Sequence, residues 1–69
     1  MIIFTDHARI RMTERSVSRV QVMHALQTPD RIIEEDNIRI FRKRIEDATL
    51  EVVAEIKKRE VVIITLYWL

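Results

Sequence analysis

Apolar positions recur along this chain at two different periods, and the change between them falls at Pro29. Before it the spacing is helical. Phe4, Ala8 and Met12 stand four apart and draw a narrow apolar stripe. Thr5 offers an N-cap and Asp6 a first-turn acid, so a helix is predicted from about Asp6 to Arg15. Ser16-Val17 interrupts it. Ser18 with Gln21 makes a capping box, and Val17 can pack on Val22 as a hydrophobic staple. A second helix is therefore predicted over Arg19–Gln27, with Val20, Val22, Met23, Ala25 and Leu26 as a broad apolar face. It ends at Thr28, because a residue before proline is pushed out of the helical region. Beyond Pro29 the period is two. Strands are predicted over 31–35, 38–44, 50–56 and 61–68, with turns at Asp36-Asn37, at Glu46-Asp47 and within Lys57–Glu60. Ile2-Ile3-Phe4 is an apolar lead-in with strand character. Val61–Trp68 is apolar nearly throughout, which predicts a central strand covered on both faces. The fold class expected is α+β: two N-terminal helices on one face of a roughly four-stranded antiparallel meander.

A chain of 69 residues has room for one core, so residues 1–69 read as a single domain. With 48% hydrophobic and 33% charged residues it is globular in composition. So small a domain gains stability from self-association, and a homodimer formed by pairing sheet edges is one expectation. Cysteine is absent, which excludes a disulfide scaffold, a thiolate metal site and a cysteine nucleophile. No basic-then-apolar leader opens the chain, and Val61–Leu69 is too short to span a bilayer, so a cytoplasmic location is expected. Net charge is only +1, so no global field draws the protein to nucleic acid. Nine of the 12 basic residues, however, are arginine, the side chain that grips phosphate in a planar fork.

Three clusters carry candidate chemistry. On the first helix His7, Arg11, Glu14 and Arg15 line one stripe, where an imidazole and two guanidinium groups can bind a phosphate and exchange a proton with it. The same spacing also describes a solvated face laced by Arg11–Glu14 pairing. On the last strand Thr65 and Tyr67 share a face. They suit a phosphate oxygen and a proton transfer or base stack, or else an ordinary β-former and an edge aromatic. On the second predicted strand Arg42 and Arg44 share a face with Ile38 and Ile40, and Arg39 and Lys43 share one with Phe41. This is a phosphate-binding rim or a set of charges guarding a sheet. Trp68 shares a strand face with Val62, Ile64 and Leu66 and reads as core, and His24 reads as a packed histidine with no partner at metal spacing. No phosphate loop, zinc motif or Ser-His-Asp pattern is present.

Phe4-Thr5-Asp6-His7-Ala8, Arg11-Met12, Glu14-Arg15, Leu26 to Pro29 and Ile64-Thr65-Leu66-Tyr67 form a larger pattern. It resembles a bacterial and archaeal family of unknown-function domains with an F-T-x-H-A-x-x-R-M-x-E-R stretch and a terminal I-T-x-Y strand. That family is similar in fold to the RelE-like toxins of the barnase–EndoU–colicin–RelE ribonuclease group. Ser16 stands where the pattern usually has glycine. The resemblance implies a RelE-like fold and metal-independent RNA cleavage without a cofactor, in which the ribose 2′-hydroxyl attacks the adjacent phosphate. It implicates His7, Arg11, Thr65 and Tyr67 as catalytic residues. Arg15, Arg42 and Arg44 would then contact RNA, with an antitoxin protein as a further partner. The alternative is a non-catalytic module that binds RNA or a protein through the arginine surface.

Overall fold

The computed structural model describes all of residues 1–69. Its elements are β1 (Ile2–Phe4), α1 (Asp6–Glu14), α2 (Arg19–Gln27), β2 (Arg31–Glu35), β3 (Ile38–Ile45), β4 (Ala48–Lys57) and β5 (Glu60–Trp68). The helices form where the caps predict. Thr5 Oγ1 accepts from the Ala8 N–H, and Ser18 with Gln21 closes a reciprocal capping box. Val17 and Val22 are both buried, as a staple requires.

The sheet has five strands rather than four, in the order β1-β5-β4-β3-β2. The β2–β5 run is the expected antiparallel meander, but Ile2–Phe4 adds a strand parallel to β5, with Ile3 beside Val62. The sheet is therefore mixed. Two-residue loops join β2 to β3 and β3 to β4, each with a positive φ at its first residue, Asp36 (55°) and Glu46 (57°). Acidic residues stand where glycine would be least strained.

Both helices lie on one face. α1 packs on β5, and α2 on β3 and β4. Between helices and sheet lie Phe4, Ala8, Val22, Ala25, Phe41, Leu50, Val52, Ala54, Ile63 and Leu66, with Met12 and Leu26 at the margin. Ile63 and Leu66 are three apart yet both reach this core, because the ladder shifts register between Val53 and Ala54 and Ile64 is the extra residue of a bulge. Thr5 Oγ1 holds the bulge by donating to the Ile63 carbonyl at 2.8 Å and the Ile64 carbonyl at 3.3 Å.

Four expectations are corrected. β5 is covered by a helix on one face only, so its apolar run does not mark a strand buried twice. The bulge separates Val62 from Leu66 and Trp68, which were expected on one face. Val20 is two-thirds exposed (67%), because α2 directs Val22 and Ala25 inward instead. His24 is exposed rather than packed. No helix is long and apolar enough to cross a membrane.

Candidate functional site

The face of the sheet away from the helices is left open, and the pairing register determines what it displays. Arg31 stands opposite Arg42, Arg42 opposite Glu51, and Glu51 opposite Tyr67. These four side chains form one polar row across β2, β3, β4 and β5. The next row is Ile33, Ile40, Val53 and Thr65, and beyond it Glu35, Ile38, Glu55 and Val62. Arg44 lies on the same face, opposite Thr49. The open face thus has a basic end, an apolar middle and an acidic end.

Glu51 is the centre of the polar row. Only 3% of it is exposed, although no helix covers this face. Arg42 and Tyr67 bury it. Arg42 Nε donates to Oε1 at 2.6 Å, and the Tyr67 hydroxyl donates to Oε2. A charged carboxylate out of water is costly unless paired and hydrogen-bonded, and these two donors meet that demand. The two terminal nitrogens of Arg42 have no protein partner, and its side chain keeps 35% of its exposure. The Arg31 side chain is exposed and makes no hydrogen bond, and Arg44 donates through Nε to the Glu46 carbonyl. The half-buried Thr65 makes no side-chain hydrogen bond.

The α1 residues form a second group. Ala8 and Met12 face the core, and Arg9 lies toward α2, where it borders a shallow hollow with Phe4, Met12 and Arg19. By helical geometry His7 and Arg11 occupy the opposite flank, beside the stretch of β5 that β1 leaves unpaired. Arg11 Nε donates to His7 Nε2 at 3.4 Å, and its Nη1 to Glu14 at 2.5 Å.

Arg15 and Trp68 tie helix to strand. Arg15 Nη1 donates to the Leu66 carbonyl at 2.6 Å, and Trp68 Nε1 donates to the Arg15 carbonyl at 2.8 Å. Arg15 is thus half-buried against β5, which leaves it less free for RNA than the exposed arginines.

The structure joins His7 with Arg11, and Tyr67 with Arg42, and no hydrogen bond links the two groups. The Tyr67 hydroxyl turns toward Glu51, away from the β5 edge that α1 flanks. Glu51 is the polar residue that motif reading missed. The signal was there: the two-residue loop after Ile45 sets Ala48 opposite Ile45, and counting back along both strands puts Glu51 opposite Arg42. Tyr67 could not be counted in the same way, since the bulge displaces it by one. No three His, Asp or Glu side chains gather as metal ligands do.

Neither a curated protein nor a solved structure matches the chain. The family model described as a domain of unknown function, DUF4258, matches residues 4–68, from the end of β1 to the end of β5, and the chain belongs to that family.

Proposed function

We propose that the open face binds single-stranded RNA and cleaves it by attack of a ribose 2′-hydroxyl on the adjacent phosphorus, the reaction that the sequence pattern's resemblance to the relatives of RelE-like ribonucleases implies. The observation that carries this reading is the unpartnered pair of Arg42 terminal nitrogens beside a phenol that is hydrogen-bonded to a buried carboxylate. That grouping supplies a phosphate grip and a proton path at one place. The 2′-hydroxyl proton passes to Tyr67 Oη as the Oη proton moves to Glu51, which becomes neutral. Arg42 stabilises the charge that grows on the phosphate oxygens. The 5′-oxygen leaves and takes a proton from solvent. Arg31 and Arg44 hold flanking phosphates, Thr65 donates to a phosphate oxygen, and Arg11 meets the strand where it passes the β5 edge.

The test is cleavage of a labelled single-stranded RNA in chelator, with far-UV circular dichroism on every variant. Tyr67→Phe, Glu51→Gln and Arg42→Ala are each expected to lower the rate about 100-fold or more while the spectrum holds. His7→Ala is expected to lower it only a few-fold, because His7 makes no contact with the Tyr67 group. A His7 effect larger than the Tyr67 effect would move the chemistry to α1, and equal rates in all variants would end the cleavage reading.

A second reading is binding without cleavage. It is favoured by the enclosure of Glu51, both of whose oxygens are already occupied. In that case wild type leaves RNA intact, and Arg42→Ala weakens binding.

A further inference from the structure

The outer edge of β2 ends the sheet and pairs with nothing. Its five residues, Arg31-Ile32-Ile33-Glu34-Glu35, read basic, apolar, apolar, acidic, acidic. Four of the five are exposed, and Ile32 keeps 44% of its surface. Natural sheets guard such an edge with inward-pointing charges, prolines or bulges. This one has no proline and no bulge, and its charges differ in sign between its two ends.

We propose that β2 pairs antiparallel with β2 of a second copy, about a two-fold axis at Ile33. In that register Arg31 of each chain faces Glu35 of the other, and Ile33 faces Ile33. All of these lie on the open face, as the β2–β3 register requires. Two opposite-charge pairs then flank one isoleucine pair.

Neighbouring registers fit worse. Centring on Glu34 sets two carboxylates against each other. Centring on Ile32 sets Arg31 against Ile33 and loses both ion pairs. Half-step registers would turn the apolar positions of one copy onto the opposite face of the other. Cross-strand charge complementarity therefore selects a single arrangement.

Glu34 is already paired with Arg39 on the helix side at 3.2 Å, so it does not compete for Arg31. The two-fold runs perpendicular to the sheet. Two five-stranded sheets become one of ten strands, with all four helices on one side. The apolar middle rows, Ile33, Ile40 and Val53 of each copy, become one continuous strip. The partner is thus a second copy of this chain.

Sedimentation velocity on the wild-type chain, from low micromolar to millimolar protein, should show a monomer–dimer equilibrium. Glu35→Arg sets arginine against arginine twice, and Arg31→Glu sets glutamate against glutamate twice. Each single variant is expected to weaken the dimer roughly tenfold or more. The double variant Arg31→Glu/Glu35→Arg restores opposite charges and should dimerise within a few-fold of wild type. Both substitutions lie on an exposed edge strand, and thermal melts will report whether each variant is folded. A wild-type chain that is monomeric throughout overturns the proposal. So does a dimer that neither single variant weakens, or one that the double variant fails to recover.

Discussion

Thr5 shows how much one hydroxyl can hold in a chain without glycine. It caps α1 by accepting from Ala8, and it donates to the two carbonyls at the β5 bulge. Thr5→Ala should therefore cost more than a lost cap alone, about 2–3 kcal/mol, while Thr5→Ser keeps the oxygen and recovers most of the loss. Denaturant midpoints of the two variants check this. Ser16 presents the reverse case. It has φ 54° in the left-handed region, where a Cβ is strained. Ser16→Gly removes that strain but frees the unfolded chain, for a net gain of about 0.5–1 kcal/mol, read as a Tm higher by a few degrees. The family pattern marked this position in the sequence as one where glycine is usual, but not the backbone reason for it. The part of Thr5 that was legible was its cap. Its second role depends on a bulge nearly 60 residues away, which no local pattern encodes.

Among the elements, those made by neighbours in sequence were readable and those made by distant strands were not. Arg19–Gln27 and Arg31–Glu35 have the predicted bounds, because a capping box, a proline and a two-residue loop fix them locally. β1 is different. Three apolar residues are a strand only because β5 offers them a parallel edge. The β5 bulge likewise answers the need of Ile63 and Leu66 to reach the same core. The β2–β3 hairpin also depends on a side chain at its open end. The Asp30 carboxylate accepts from the Arg44 N–H at 2.7 Å, which, with Lys43 nearby, holds its pKa below the usual 3.8 despite some desolvation. A lowered folded-state pKa adds stability that is full above 3.8 and fades as pH falls through the lower folded value. Wild type should therefore lose stability below about pH 4 more steeply than Asp30→Asn, as urea midpoints at pH 3 and pH 7 will show. The difference is expected to be small, since Asp30 is exposed.

At the scale of the molecule, the open face is what reconciles a near-neutral chain with the RNA-binding role proposed for it. A net charge of +1 gives no long-range pull, so attraction must come from the basic end of that face, where Arg31, Arg42 and Arg44 stand together. Glu35 and Glu55 occupy the far end and repel a strand laid along β3. On the proposed reading, an RNA chain is therefore steered across the strands at the basic end, over Arg42 and Tyr67, rather than along them. Such a short footprint has a measurable consequence. If three arginines each neutralise one phosphate of a single strand, log K should fall with log salt at a slope of about −2. Arg42→Ala should bring the slope about 0.7 nearer to zero, and so should Arg44→Ala. Glu55→Gln should leave it unchanged while tightening binding slightly. A slope near zero in wild type would mean that stacking on Tyr67, not phosphate, holds the strand. A slope far steeper than −2 would place the contact on a larger basic surface than this row offers.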